Sequence, residues 1–139
     1  MTYHLDQVLY TAQTHTTGGR EGAGRSSDGA VDVTLAKPGT GRQGTNPEQL
    51  FGIGYSACFL GAIEIAGKQL GIKLPQGSAI DAEVSLGKDS QGYGLAVTLK
   101  IDLPGLDSAV KRQLVDTAHQ TCPYSRSIRG NIDVKFEIA

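Results

Sequence analysis

The sequence predicts a single α+β domain, built on antiparallel β-sheet and spanning residues 1–139. Three observations predict it. One long apolar helix follows a group of short strand-like segments. Two alternating segments come next as a hairpin, and an amphipathic helix separates that hairpin from a last alternating segment. The order of strands, helix, hairpin, helix and strand is typical of an α+β domain.

The N-terminal third contains the patterns of short strands. Between Val31 and Leu35 apolar and polar residues alternate, which is the pattern of a half-buried strand. Residues 5–17 are rich in Thr, Val and Tyr, and we expect one or two further strands there. The segment 19–26 has the spacing of a phosphate-binding loop. Arg25 stands where that motif requires lysine, and a strand rather than a helix is expected to follow, so we interpret the match as chance.

The central helix is the clearest element, and we expect it from Pro47 to Leu70. Asn46 is a favourable N-cap, and proline suits the first helical position. Gln49 completes a capping-box pattern, and Gly71 supplies the stop.

The first half of this helix has no polar face. Its charge-free run extends only from Leu50 to Ile63, which is too short to cross a bilayer, so we expect no membrane partner. A helix that is apolar on every side must be covered on every side, and a chain of 139 residues would struggle to do this alone. We therefore predict an oligomer. Glycine costs about 1 kcal/mol relative to alanine in a helix, so the glycines of this helix predict close backbone packing against its neighbours. They are Gly52, Gly54, Gly61 and Gly67.

The C-terminal half continues with regular patterns. Residues 80–103 alternate on both sides of a glycine-containing turn, which predicts a β-hairpin. A second helix is expected from a cap at Asp107 or Ser108 to Thr121, and a last strand over residues 132–138.

Charge and cysteine content restrict the classes of partner. Thirteen basic and fourteen acidic residues give a net charge of −1, which does not favour nucleic acid or an acidic membrane surface. The N-terminus lacks the pattern of a secretory signal, so we expect a cytoplasmic protein. Two cysteines are too few for a disulfide-rich scaffold, and in the cytosol such a pair is more often redox-active or metal-binding.

The two cysteines are the first candidates for chemistry. Cys58 lies in the middle of the central helix, and Cys122 continues the apolar stripe of the second helix, so we expect both to point into the same interior. The alternative is a pair of inert buried thiols. A zinc site is disfavoured because such sites use four ligands in closely spaced pairs, whereas the histidines are scattered. They are His4, His15 and His119.

Two charged residues accompany these cysteines. Arg20 lies in a glycine-rich turn, where most arginines are simply solvated. Glu48 lies in the first turn of the central helix, where a carboxylate complements the helix dipole. Neither residue indicates a function by itself.

Four motifs occur in a fixed order along the chain. They are GGR at residues 18–20, TNPEQLF at 45–51, GYSACF at 54–59 and CPYS at 122–125. Together they closely resemble the organic hydroperoxide resistance proteins, one branch of the osmotically inducible protein C (OsmC) superfamily. The resemblance extends over nearly the whole chain.

The resemblance implies an OsmC-like fold, with antiparallel sheets around a central buried helix, and an intertwined homodimer with two sites at the subunit interface. It implies an antioxidant, stress-related peroxidase that reduces organic hydroperoxides to alcohols without a metal or cofactor. Cys58 would be the peroxidatic cysteine, which forms a sulfenic acid, and Cys122 the resolving cysteine, which closes a disulfide. Arg20 and Glu48 match the charged active-site pair. The reductant would be a dithiol, namely lipoyl groups on carrier proteins.

The chemistry of a buried thiol makes these assignments physically reasonable. Burial would raise the pKa of Cys58 and lower its reactivity, so a cation is needed, and Arg20 is the candidate. Glu48 would hold Arg20 in one geometry. Ten residues of helix separate Glu48 from Cys58, about 15 Å. Either the helix bends at Gly52 and Gly54, or Arg20 bridges the gap, or Glu48 serves Cys58 of the other subunit; we favour the last.

The surroundings of Cys58 predict the substrate class. Phe51, Tyr55 and Phe59 are expected to form an apolar pocket that favours alkyl and fatty-acid hydroperoxides over hydrogen peroxide. Two alternatives remain. One is an OsmC-type enzyme with broader peroxide use, and the other is a redox-sensing or binding protein that uses the cysteine pair as a switch.

Overall fold

The computed structural model describes residues 2–139. The chain divides into an N-terminal unit that ends at Pro47 and a C-terminal unit that begins at Glu48. Each unit contains a three-stranded sheet, and the helices follow in the second unit. The predicted α+β class is therefore confirmed.

The N-terminal unit is a small antiparallel sheet in the order β1-β2-β3. Its strands are β1 (Thr14–Thr17), β2 (Ala23–Ser26) and β3 (Asp32–Thr34). The turn from β2 to β3 is closed by Asp28, whose carboxylate accepts hydrogen bonds from the Ser26 hydroxyl and the Ala30 backbone N–H. A turn and then β3 follow residues 19–26, so this phosphate-loop spacing lacks the helix that such a loop requires.

One expectation for this unit is only partly met. Of the predicted strand region 5–17, only Thr14–Thr17 is a strand. The apolar side chains of Leu5, Val8 and Leu9 are exposed, and residues 5–13 pair with no strand in the part of the chain that the structure describes. A strand-like composition yields a strand only where a neighbouring strand takes up a series of backbone hydrogen bonds. The Gln13 carbonyl accepts one from the Ser27 N–H, but residues 5–13 form no ladder with another described strand.

The C-terminal unit packs helices against a second sheet, whose order is β4-β5-β6. Its elements are α1 (Pro47–Gln69), β4 (Ala79–Asp89), β5 (Gly92–Asp102), α2 (Ser108–Thr121), α3 (Pro123–Ile128) and β6 (Val134–Ile138). The predicted central helix, hairpin, second helix and last strand are thus all present. The α1 helix starts at Pro47, as its proline and capping residues predict.

The direction of the last strand corrects the prediction of a purely antiparallel sheet. β4 and β5 are antiparallel, but β6 runs parallel to β5, with Val97 opposite Val134 and Ile101 opposite Ile138. Between β5 and β6 the chain crosses over through α2 and α3. Such a helical crossover is the connection that parallel strands require.

α1 provides the core of this unit through one face only. Tyr55, Phe59 and Ile63 are fully buried on that face and join the apolar residues of β5 and α2. On the opposite face Ile53 is 70% exposed and Ile65 is 59% exposed. The sequence predicts that this helix is covered on all sides, but a single chain leaves part of it exposed. By length and composition alone α1 would also suit a membrane span, a test that buried core helices pass as well.

Two of the four α1 glycines make the close approaches that were predicted. A Cβ on Gly67 would lie 2.6 Å from the Ile72 carbonyl oxygen, and one on Gly54 would lie 2.7 Å from the Tyr124 hydroxyl. Gly52 faces β4 at ordinary contact distance, whereas Gly61 has open space around it.

The junction between α2 and α3 fixes one of the two cysteines. Asp107 caps α2 by accepting hydrogen bonds from the Ala109 and Val110 backbone N–H groups. Cys122 ends α2 in an extended conformation, and Pro123 occupies the first position of α3. Cys122 therefore stands at the corner between two helices, facing the core.

Candidate active site

The structure brings the two cysteines together. Their Sγ atoms lie 3.5 Å apart, although the residues are 64 positions apart in the chain. Both are free thiols; Cys58 is half-buried and Cys122 is fully buried. A disulfide bond is about 2.05 Å long, so once one of the two sulfurs has been oxidised only a small movement separates them from bonding distance.

Burial controls the acidity of Cys58. Removal from water raises the pKa of its thiol, and the neighbouring Cys122 thiol raises it further. The backbone N–H of Tyr124 acts in the opposite direction, because its hydrogen bond to Cys58 lowers the pKa. Desolvation is the larger effect, so these neighbours leave the thiol mainly protonated at neutral pH.

A buried hydrogen bond lies next to this pair. The hydroxyl oxygens of Tyr55 on α1 and Ser125 on α3 are 2.6 Å apart, and both residues are fully buried. Burial raises the pKa of the Tyr55 phenol, so the phenol remains neutral over the physiological range. The bond joins α1 to α3 close to both thiols.

Aromatic rings surround the same region. Tyr55 stacks on Tyr124 at 5.8 Å, and the Phe51 ring lies edge-on to both. Phe59 stacks on Phe136 of β6 at 5.3 Å. The predicted pocket residues therefore differ in position, because Tyr55 and Phe59 are fully buried in the core while Phe51 is only half-buried. Of these three residues, Phe51 offers surface to a ligand in this structure, and Tyr124, which is 37% exposed, lies beside it.

Glu48 lies in the first turn of α1 and is half-buried. The helix continues without interruption from Pro47 to Gln69. The separation from Cys58 along the axis is therefore about 15 Å. A glutamate side chain cannot cover that distance within one helix.

Arg20 lies in a 3₁₀ turn between β1 and β2 in the N-terminal unit. Gly18 has a left-handed conformation at φ 71°, and a Cβ on Gly22 would lie 1.8 Å from the Thr17 carbonyl oxygen. The turn that presents Arg20 therefore requires glycine on both sides. Arg20 itself is half-buried, and its catalytic role stays a prediction, as does that of Glu48.

Metal ligands do not cluster in the described residues 2–139, where no group of three His, Cys, Asp or Glu side chains could hold an ion. His119 packs edge-on against Phe136 at 4.8 Å. Burial lowers the pKa of its imidazole, which favours the neutral ring.

Comparison with known proteins identifies the family. The family model described as OsmC-like protein matches residues 39–137. An organic hydroperoxide resistance protein of Xanthomonas axonopodis pv. citri is 50% identical over 138 residues, covering 96% of this chain and 97% of that protein. The chain belongs to the OsmC/Ohr family. The organic hydroperoxide resistance protein OhrB of Bacillus subtilis is 44% identical, covering 94% of this chain and 98% of that protein.

Solved structures of the OsmC/Ohr family have the same fold. The crystal structure of Bacillus subtilis OhrB superposes with a TM-score of 0.90 at 43% identity and covers 95% of this chain and all of that chain. An organic hydroperoxide resistance protein of Vibrio cholerae, solved with captopril in one of its active sites, gives a TM-score of 0.87 at 36% identity, with 96% and 94% of the two chains covered.

Two residues beside the OsmC/Ohr cysteine pair were not predicted as site residues from the sequence. Tyr124 contributes its backbone N–H to Cys58, and Ser125 contributes the hydroxyl that binds Tyr55. Both belong to the CPYS motif at residues 122–125, which is the sequence feature that could have indicated them. Their contacts depend on the packing of α3 against α1, which no local pattern encodes.

Proposed function

We propose that this protein is a thiol-dependent peroxidase that reduces organic hydroperoxides to alcohols. One observation carries the proposal: two free thiols have their sulfur atoms 3.5 Å apart, in a chain that is 50% identical in sequence to an organic hydroperoxide resistance protein. Cys58 is the more exposed of the two cysteines, so we assign to it the attack on the hydroperoxide. We assign to the buried Cys122 the later attack on oxidised Cys58.

The first step oxidises Cys58. Its thiolate attacks the terminal oxygen of the hydroperoxide, an S–O bond forms and the O–O bond breaks. The departing alkoxide takes up a proton and leaves as the alcohol, and Cys58 becomes a sulfenic acid.

The second step closes the disulfide. The Cys122 sulfur attacks the Cys58 sulfur, the S–S bond forms, and the hydroxyl group leaves with a proton as water. A dithiol then returns both cysteines to thiols by exchange and is itself oxidised to a disulfide. We propose lipoyl groups on carrier proteins as that dithiol. The free thiols that the cycle regenerates suit the reducing cytoplasm, which is the compartment we propose.

Arg20 and Glu48 complete the proposed site. Burial raises the pKa of the Cys58 thiol, so a fixed cation is needed to favour the thiolate. Arginine stays charged at all relevant pH values, and its guanidinium also bonds peroxide oxygens. We assign this role to Arg20, and to Glu48 the role of a carboxylate that holds the guanidinium in place.

The apolar surroundings of Cys58 favour an organic substrate. Phe51 and Tyr124 lie edge-on to each other at 5.9 Å and expose part of their surface. We propose that this surface receives the alkyl part of the hydroperoxide, with Tyr55 and Phe59 supporting it from the core. Hydrogen peroxide would gain nothing from such contacts.

We further propose that two copies assemble as a homodimer through α1. Ile53, Ala57, Gly61 and Ile65 recur every four residues and form an uncovered stripe, which we call the α1 open face. Gly61, with nothing near its missing Cβ, would allow close approach of another backbone. Cys58 follows Ala57 and lies at the border of this face, so a second copy bound there would lie next to the thiol pair. We propose Glu48 of that second copy as the carboxylate that acts at this pair.

Steady-state turnover tests the proposed function. With dihydrolipoamide as reductant, we expect repeated turnover of cumene hydroperoxide, a much lower catalytic efficiency with hydrogen peroxide, and complete loss of activity in Cys58→Ser. Glu48→Gln should lower the rate, and Glu64→Gln, an exposed glutamate on the same helix, is its matched control. One slow oxidation without turnover would instead favour the redox switch. Equal efficiency with both peroxides would favour the broader OsmC-type activity.

A further inference from the structure

The hydrogen bond between Tyr55 and Ser125 ties together the two elements that carry the thiols. Tyr55 lies on α1, three residues before Cys58, and Ser125 lies on α3, three residues after Cys122. The two oxygens are 2.6 Å apart in a fully buried environment. Among the described residues neither hydroxyl is hydrogen-bonded to a thiol, although the Tyr55 phenol is close enough to both thiols for their charges to raise its pKa. The hydrogen bond between the two hydroxyls therefore bears on the cysteines through the positions of the α1 and α3 backbones.

We propose that Tyr55 and Ser125 are a positioning pair that holds the start of α3 on α1 and so keeps the Cys122 thiol within reach of oxidised Cys58. The reaction served is the closure step of the proposed function, on which this inference rests. In that step the Cys122 sulfur forms the S–S bond, the S–O bond of the Cys58 sulfenic acid breaks, and water leaves.

The geometry of α3 explains why such a pair is needed. α3 has six residues, too few for a helix to be stable without tertiary contacts. Cys122 has an extended backbone at φ −60° and ψ 124°, so it forms a corner about which α3 can turn. Rotation at this corner would move the Cys122 sulfur and the Tyr124 N–H, and both of these contact Cys58.

Closure can be measured without a peroxide. Diamide adds to the Cys58 thiolate at its N=N bond, and the Cys122 sulfur then displaces the resulting hydrazine as the disulfide forms. The two electrons and two protons of the thiols end on the hydrazine. At diamide concentrations where adduct formation no longer limits the overall rate, mass spectrometry of acid-quenched samples gives the first-order rate of disulfide closure.

We expect closure to be about fivefold slower in Tyr55→Phe and in Ser125→Ala. Tyr93→Phe, an exposed tyrosine of the hairpin, is the matched control and should close at the parent rate.

The double variant Tyr55→Phe/Ser125→Ala separates positioning from stability. Each single variant leaves one buried hydroxyl without its partner, whereas the double variant leaves none, so its stability should recover toward that of the parent. A positioning pair predicts that closure in the double variant stays about fivefold slow although the protein is stable. Closure at the parent rate in the stable double variant would overturn the proposal.

The outcomes also separate this inference from the proposed function. If the parent does not consume cumene hydroperoxide but the variants close slowly with diamide, the peroxidase proposal fails and the positioning pair stands. If the parent turns over cumene hydroperoxide and every variant closes at the parent rate, the positioning pair fails and the peroxidase stands.

Discussion

The Tyr124 hydroxyl packs against Gly54, one helical turn before Cys58. A Cβ on Gly54 would lie 2.7 Å from the hydroxyl oxygen, so the Tyr124 side chain would have to shift to accept one. The backbone of the same tyrosine donates a hydrogen bond that lowers the pKa of Cys58. We expect a side chain at position 54 to act on the thiol through this tyrosine.

Gly54→Ala should therefore reduce the reactivity of Cys58. The added methyl group displaces Tyr124, which weakens the N–H bond to sulfur and raises the pKa of the thiol. In a Cys122→Ser background, the rate of iodoacetamide alkylation at pH 7 should fall about fivefold. Gly61→Ala, on the same helix with open space around it, should leave the rate unchanged. Equal rates in both variants would contradict this link.

Gly67→Ala should destabilise the fold. Its Cβ would lie 2.6 Å from the Ile72 carbonyl oxygen, a backbone atom three residues beyond α1 that cannot rotate away as a side chain can. We expect a loss of about 1–3 kcal/mol in the free energy of unfolding, measured by urea denaturation. If the urea midpoint and the slope of the denaturation curve are unchanged, the segment after α1 moves freely enough to accept the methyl group, which would contradict this prediction.

Arg20→Gln should shift the alkylation profile of Cys58 toward higher pH. Desolvation raises the pKa of this thiol, and a cation opposes that effect by favouring the thiolate, so removing the cation raises the pKa further. The thiolate is the reactive form, and the rate at a pH below the pKa must then fall, with recovery at high pH. Arg25→Gln, another arginine of the N-terminal unit, is the charge-matched control. Superimposable profiles for Arg20→Gln and parent would remove Arg20 from the mechanism.

The sequence was informative where the pattern is local, and less so where the outcome depends on packing. Asn46 and Pro47 marked the start of α1 because capping uses adjacent residues. The parallel direction of β6 was missed because alternation is the same in either direction. Residues 5–13 look like a strand but have no strand partner among the described residues.

In the candidate site, too, local patterns were predictive and long-range contacts were not. Cys58 and Cys122 were expected in one interior because Cys58 lies in the all-apolar part of the central helix and Cys122 continues the apolar stripe of the second helix. Their sulfurs lie 3.5 Å apart. The hydrogen bond between Tyr55 and Ser125 joins residues 70 positions apart, so the spacing of residues along the chain did not predict it. The open face of α1 was hidden because the helix is apolar on every side, so no pattern distinguishes its two faces.

Ile53→Glu should weaken the proposed dimer. Ile53 is 70% exposed on the α1 open face, and burying a charge there without a partner is costly. Light scattering after size exclusion should give the parent twice its chain mass of 14.6 kDa and shift the variant toward a monomer. Tyr93→Glu, equally exposed on the hairpin, should remain dimeric. A monomeric parent, or a variant that dimerises like the parent, would contradict the assembly through α1.

In the proposed mechanism Cys58 reacts with the hydroperoxide and Cys122 resolves the product. The most direct test treats the reduced parent and Cys122→Ser with one equivalent of cumene hydroperoxide in the presence of dimedone, and measures thiols and intact mass. We expect the parent to lose both thiols within seconds without a dimedone adduct, and Cys122→Ser to gain one adduct at Cys58. Two thiols left untouched in the parent would contradict it and would make the cysteines packing residues.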